Sequence, residues 1–189
     1  MFRRLQTWLL LCFGLLAFAP ALADEYSDAA DAFRKASQSA SFFSNAYGYA
    51  VFPTIGKGGI GIGGAHGKGR VYVKGAYVGD TSMTQVTVGA QLGGEAFRQI
   101  IFFEDERAFK EFTSGNFEFG AQAQAVAITA GASAGASTGG GASASASATQ
   151  HDAAAAGAYY KGMAVFTVAK GGLMYEASIG GQKFNYKPL

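Results

Sequence analysis

The chain has 189 residues, enough for one domain and short for two, and its 15 basic and 13 acidic residues give a formal net charge of +2. Residues 1–23 contain two of the basic residues, none of the acidic ones and the one cysteine, Cys12, so the remainder is electrically neutral and free of cysteine. This composition argues against a generally cationic nucleic-acid binder and excludes a disulfide framework, a cysteine-based zinc site and a thiol nucleophile after residue 23.

The first 23 residues have the pattern of a secretory signal peptide. Two arginines at positions 3 and 4 form a positive segment, and residues 9–19 are an apolar run too short for an ordinary membrane span. Pro20 ends this run, and residues 21–23 form an A-x-A cleavage site. The sequence therefore predicts cleavage after Ala23 and a periplasmic or secreted product, for which peripheral membrane association depends on the basic residues described below.

Residues 24–47 have the period of an amphipathic helix that ends at Gly48. Its apolar stripe consists of side chains at steps of three and four residues, namely Phe33, Ala36, Ala40, Phe43 and Tyr47. Such a helix either packs on the core or lies on a membrane surface. The small apolar face and the sparse basic residues favour packing on the core.

After Gly48 the apolar pattern changes to a period of two. Four strands are predicted, with glycine-rich turns between them, over residues 49–55, 70–78, 82–91 and 99–103. A short helix is predicted over residues 104–113, with Asp105 as its N-cap and Gly115 as its stop.

The second half of the chain contains a long segment of alanine, glycine and serine. Residues 117–129 alternate like a strand, whereas residues 130–158 form either a long hairpin turning at 139–141 or a mobile loop. Two further strands are predicted over residues 159–168 and 173–186. The sequence thus predicts an α+β fold: a glycine-rich antiparallel sheet or barrel-like core, an N-terminal helix and one short internal helix.

Two segments of the chain resemble each other. Residues 50–74 contain Lys57-Gly58-Gly59, and residues 164–187 contain Lys170-Gly171-Gly172 in a corresponding position. Each segment is consistent with a strand, a Lys-Gly-Gly turn and a second strand, which predicts a pseudo-symmetric sheet or barrel. Similar turn chemistry that arose independently is the alternative.

Motifs for catalysis or cofactor binding are not recognisable. Residues 59–64 match G-x-G-x-x-G, but a β-type run follows them, whereas the dinucleotide fold needs a helix there. The two histidines are His66, expected in a solvated glycine loop, and His151. Three consecutive acids at residues 104–106 suit helix capping. We therefore expect no enzyme activity, no catalytic or metal-binding residues and no cofactor.

One charge pattern stands out in the neutral chain. Residues 48–79 contain Lys57, Lys68, Arg70 and Lys74 and no acid, while residues 80–118 contain seven acids and three bases. If Lys170 occupies a turn equivalent to that of Lys57, it joins the basic group. Basic side chains near an anionic bilayer contribute about 1 kcal/mol each. These five residues are therefore candidates for binding lipid head groups, although solvated lysines in turns explain the same pattern.

Several glycine-rich motifs follow one another along the chain in a recognisable order. The first motifs are Gly48-Tyr49-Ala50-Val51-Phe52-Pro53, Lys57-Gly58-Gly59 and Gly63-Gly64-Ala65-His66-Gly67-Lys68-Gly69. The later ones are Val88-Gly89-Ala90-Gln91-Leu92-Gly93-Gly94, Ile101-Phe102-Phe103, Lys170-Gly171-Gly172-Leu173-Met174 and Ile179-Gly180-Gly181-Gln182-Lys183. Together these motifs resemble the SYLF domain, a lipid-binding family that includes a yeast actin-binding member. The resemblance extends over residues 32–186, apart from an Ala/Ser/Gly-rich insertion around residues 130–156.

The resemblance implies that a single SYLF-like domain, residues 24–189, follows the predicted signal peptide, residues 1–23. It implies non-enzymatic binding of anionic membrane lipids, which are phosphoinositides in eukaryotic members and would be anionic glycerophospholipids for a secreted bacterial one. The expected partner is therefore a membrane surface and not a nucleic acid. A structural cell-envelope protein that self-associates through residues 130–148 is the alternative, because long, charge-free strands pair readily when exposed.

Overall fold

The computed structural model describes residues 24–121, 123, 125–128, 159–170 and 178–189, with only the backbone at residues 60, 61 and 87–93. These residues form a strand-rich core with few helices, in which a curled sheet makes a half-barrel. The helices are α1 (Glu25–Lys35), α2 (Phe42–Asn45) and α3 (Glu106–Phe112). The strands are β1 (Gly48–Val73), β2 (Ala76–Phe103), β3 (Phe117–Glu118), β4 (Val126–Ile128), β5 (Met163–Ala169) and β6 (Lys183–Pro188).

The dominant element is a long antiparallel ribbon of β1 and β2. Pairing extends from Gly48 opposite Phe103 to Val73 opposite Ala76, and a tight turn joins the two strands. Both turn residues, Lys74 and Gly75, have positive φ angles, of 49° and 81°, as a two-residue hairpin turn of the primed type requires. The segments predicted as strands are in β1 and β2, apart from the turn at residues 74 and 75, but the glycine-rich turns predicted between them are wrong. Residues 56–69, including His66, are strand and not loop.

The ribbon folds back on itself, so that two arms of the same strand approach each other. We call residues 48–58 of β1 the proximal arm and residues 62–73 the distal arm. A Cβ atom built on Gly69 would lie 2.7 Å from the ring of Phe52, and one on Gly67 would lie 2.6 Å from Cγ1 of Ile55. Glycines on the distal arm therefore allow it to approach the proximal arm without a side chain between them.

The first of the two Lys-Gly-Gly hairpins predicted from the internal resemblance is not formed. Lys57, Gly58 and Gly59 continue β1 and pair with residues 93–95 of β2. A register shift follows, between Ile60 and Ile62, where the ribbon changes direction. At the second site, Lys170 forms a bend, and residues 171–177 lie outside the described part of the chain.

The remaining strands extend the sheet from both halves of β2. The second half of β2 pairs with β5, and the first half pairs with β6. Outside these lie β4, parallel to β5, and β3, antiparallel to β6. The sheet is thus antiparallel except at β4, and the predicted strand over residues 117–129 is broken into β3 and β4. The signal peptide, the residue 130–156 insertion and the alternative hairpin or loop at 130–158 lie outside the described residues.

Two apolar cores cover opposite faces of the sheet. The inner core lies inside the folded ribbon and includes Phe52, Ile55, Val71, Met83, Phe103, Phe112 and Phe184. The outer core lies under α1 and α2 and includes Ala29, Phe33, Phe42, Val51, Ile100, Phe102 and Phe166. The middle of the sheet is therefore buried on both sides, whereas the outer face of the distal arm extends beyond α1.

The single helix predicted over residues 24–47 is divided in two. Ala36 has extended backbone angles and ends α1, and the hydroxyl of buried Ser39 donates a hydrogen bond of 2.6 Å to the Phe33 carbonyl. The chain then turns so that Phe42 packs edge-on against Phe166 and close to Phe102. In α2 the buried aromatic side chain is therefore Phe42, whereas Phe43, which belongs to the predicted apolar stripe, is only half-buried.

The short internal helix is confirmed, together with its cap. The Asp105 carboxylate accepts a hydrogen bond of 2.8 Å from the backbone N–H of Ala108. We expect Asp105→Ala to lower the free energy of unfolding by about 1 kcal/mol, measured by urea denaturation, because this N–H loses its partner. Glu104→Ala removes a neighbouring carboxylate that does not cap the helix. An equal loss in both variants would contradict the capping role.

Candidate functional site

The five basic residues predicted to bind head groups lie at different levels of the ribbon. Lys74 lies in the hairpin turn, beside α3. There the hydrogen bond from Lys110 lowers the pKa of Glu106, and the charge of Lys74 lowers this pKa further. Lys74 therefore belongs to a mixed-charge end of the molecule.

At the opposite end, Lys57 and Lys170 point to different faces of the sheet. Lys57 is opposite Glu95 and shares the inner face with Ile55, because both residues are odd-numbered positions of one regular strand segment. The Lys170 ammonium donates a hydrogen bond of 2.7 Å to the hydroxyl of Thr54, an exposed position on the other face. The two lysines are near each other along the sheet without sharing a surface.

Arg70 holds the beginning of α1 on the distal arm. Its guanidinium forms an ion pair with the Asp24 carboxylate and lies 4.1 Å from the ring centroid of Tyr26 and 5.1 Å from that of Tyr77. Burial raises the pKa of Tyr26, although the Arg70 charge acts in the opposite direction, so the Tyr26 ring is neutral at pH 7. Arg70 is thus occupied by contacts within the protein.

Beyond α1, the outer face of the distal arm continues across β2 to β6. Nine side chains form three rows on this face, which we call the outer array. The rows are His66, Thr84 and Lys183; Lys68, Ser82 and Asn185; and Arg70, Asp80 and Lys187. Ser82 and Arg70 are half-buried, and the other seven side chains are exposed. The topology therefore adds two lysines, Lys183 and Lys187, that the sequence analysis did not select.

Two large apolar side chains lie on the same face, nearer the bend of the ribbon. Ile62 is 70% exposed and Val86 is 71% exposed. Gly64 pairs with Val86 and Ile62 pairs with Val88, so Ile62 and Val86 are diagonal neighbours. Because alternate residues of a strand share a face, this apolar pair continues the outer array.

The outer array is predominantly basic. Its acidic member, Asp80, accepts a hydrogen bond of 2.7 Å from the Tyr77 hydroxyl. Lys183 lies 3.4 Å from a carboxylate oxygen of Glu118 on β3, but both side chains are well exposed, so this ion pair contributes little. Among the described residues, no ion pair engages Lys68 or Lys187. These two ammonium groups face solvent.

Comparison with known proteins adds no assignment. No protein-family model matches the chain, and no curated protein is similar to it. In the described ranges, no helix has the length and apolarity to cross a bilayer, and no three His, Asp or Glu side chains converge as metal ligands would. The functional argument therefore depends on the outer array and the apolar pair beside it.

Proposed function

We propose that the protein binds peripherally and without catalysis to membranes that contain anionic phospholipids. The observation that carries the proposal is the exposed pair Ile62 and Val86 on the same sheet face as Lys68 and its basic neighbours. Apolar side chains that enter the lipid interface, beside lysines that meet anionic head groups, are the usual combination in peripheral binding.

The expected affinity is modest. Each lysine near an anionic surface contributes about 1 kcal/mol, and this contribution decreases with salt. Complete burial of a valine or isoleucine side chain contributes about 1.5–3 kcal/mol, and partial insertion contributes less. Together these contributions favour reversible, salt-sensitive adsorption.

The proposal includes the finer predictions made from the sequence. We propose a SYLF-like domain with a barrel-like core, exported by the signal peptide to the periplasm or the cell exterior. Lys57, Arg70, Lys74 and Lys170 remain candidate head-group contacts, of which Arg70 would first have to leave Asp24. The alternative of self-association through residues 130–148 concerns a segment outside the described residues.

Sedimentation with lipid vesicles tests the proposal. We expect residues 24–189 to sediment with vesicles of phosphatidylcholine and phosphatidylglycerol, but weakly with phosphatidylcholine alone, and to dissociate as salt increases. The double variant Ile62→Ser/Val86→Ser should bind about tenfold less, because the polar side chains gain nothing from the lipid interface.

A matched control is Leu189→Ser, which changes an apolar side chain that is 78% exposed and belongs neither to the apolar pair nor to the array. It should bind like the wild type. Negligible sedimentation of the wild type with both vesicle compositions would refute membrane binding. Normal binding by the Ile62→Ser/Val86→Ser variant would refute the role of the apolar pair.

A further inference from the structure

Three lysines from two distant parts of the sequence surround one small hydroxyl on the outer array. Ser82 of β2 pairs with Lys68 on one side and with Asn185 on the other. Lys183 and Lys187 lie two positions before and after Asn185 on β6, on the same face. The register therefore places Ser82 inside a triangle of three lysine positions on one face of the sheet.

Strand geometry sets the size of this triangle. Directly opposite residues have Cβ atoms about 5 Å apart, and diagonal neighbours are about 7–8 Å apart. Lys68 is directly opposite Ser82, whereas Lys183 and Lys187 are its diagonal neighbours. A lysine side chain extends about 6 Å on four methylene groups, so all three ammonium groups can reach one anion above Ser82.

We propose that this triangle is the binding site for the phosphate of an anionic glycerophospholipid, an inference that rests on the proposed function. Lysine ammonium groups and the Ser82 hydroxyl supply hydrogen-bond donors, and the Asn185 amide supplies two more. A phosphate offers several charged acceptor oxygens, to which such hydrogen bonds are strong. Two carboxylates adjoin the site: Asp80, directly opposite Lys187, accepts a hydrogen bond from Tyr77, and Glu118 forms an exposed pair with Lys183 that the phosphate would displace.

The apolar pair indicates that the phosphate belongs to a lipid. Val86 is one row beyond Thr84, and Ile62 is two positions beyond Gly64 toward the bend. The array and the apolar pair lie on one face of the sheet. When Ile62 and Val86 enter the lipid interface of a membrane, the phosphates of its head groups are therefore level with the outer array. Lys183 and Lys187 thus join Lys68 as the principal head-group contacts.

Paired charge-removal variants test this assignment. Lys183→Gln/Lys187→Gln should weaken binding to vesicles with phosphatidic acid by about 30-fold, because each lysine contributes about 1 kcal/mol. Lys35→Gln/Lys161→Gln removes the same charge from two exposed lysines outside the array and should weaken binding less than threefold. Glu118→Gln should strengthen binding, because it removes the carboxylate that competes for Lys183.

Equal losses in the two double variants, with wild-type vesicle binding intact, would overturn the site and leave the proposed function standing. Soluble glycerol 3-phosphate supplies the second measurement, as backbone amide chemical shifts of the wild type. Shifts centred on Ser82 and Asn185 would support the site, and shifts elsewhere, or none, would overturn it. If these shifts appear but the wild type binds no vesicles, the phosphate site stands and its assignment to a lipid is overturned together with the proposed function.

Discussion

Gly69→Val should lower the free energy of unfolding by about 3 kcal/mol, the upper part of the range for overpacked cores. A Cβ atom at this position would lie 2.7 Å from two ring carbons of Phe52 and 2.9 Å from Cγ2 of Thr81. Phe52 is fully buried in the inner core, so a shift of its ring would displace closely packed neighbours. The two arms of β1 would have to separate. Urea denaturation followed by circular dichroism measures the loss.

Gly64 provides the matched control on the same strand. It lies on the exposed face, and a Cβ atom there would meet only the Gln85 carbonyl oxygen, at 3.5 Å. Gly64→Val should change stability by no more than about 0.5 kcal/mol, because valine suits an exposed strand position. Similar losses in both variants would mean that the cost comes from removing any glycine from β1 and not from the close approach of its arms.

The second large effect is expected at a pair of buried amides. Gln99 and Gln182 are fully buried, and each side-chain amide donates to the other, with distances of 2.8 and 3.2 Å. Replacing either residue by leucine leaves the remaining amide buried without its partner, which costs about 2–3 kcal/mol. The double variant Gln99→Leu/Gln182→Leu should lose less than the sum of the single losses, as measured in a double-mutant cycle.

Gln38→Leu is a suitable reference, since Gln38 is exposed on the turn between α1 and α2. Its effect on unfolding should be close to zero. Strict additivity of the Gln99 and Gln182 variants would show that the two amides are satisfied separately. The coupling matters for the fold because Gln182 immediately precedes β6, so the pair attaches the start of β6 to the second half of β2.

Local signals in the sequence were sufficient for some elements. Asp105, followed by an apolar pattern and Gly115, predicts α3 correctly, since an N-cap and a helix stop act within a few residues. The strand-rich core with few helices also follows from the period-two pattern after Gly48. The break between α1 and α2 was missed, because it depends on a Ser39 hydrogen bond and on the burial of Phe42 against β2 and β5.

The continuous ribbon could not be predicted from the propensity of its residues. Glycine is depleted in strands, so residues 56–69 have the composition of a turn. They are strand because β2 pairs with them and because the distal arm must lie against Phe52 and Ile55. This requirement comes from tertiary structure. A glycine-rich segment that forms a turn and one that packs closely against another strand have the same local composition.

The candidate site was found only in part for a related reason. Lys68 stands out in the sequence because it lies in a segment without acids. Lys183 and Lys187 lie more than 100 residues further along the chain, outside that segment. Their proximity depends on the pairing of β6 with β2, illustrated by the hydrogen bond between Thr81 and Asn185, which are 104 positions apart. Charge counting along the chain detects a basic segment, but it does not detect a basic face assembled by a sheet.

The hairpin turn at Lys74 and Gly75 also has a consequence for the order of folding. In the ribbon, residue pairs close to the turn are also close in sequence, so strand pairing can begin at the turn and extend outward. Once the inner pairs have formed, each further pair closes only a short additional loop and costs little chain entropy. The arms of β1 can meet only after the ribbon has passed residue 60, and β6 can join β2 only after most of the chain is present. We therefore expect the surface that carries Lys68, Lys183 and Lys187 to be completed late in folding.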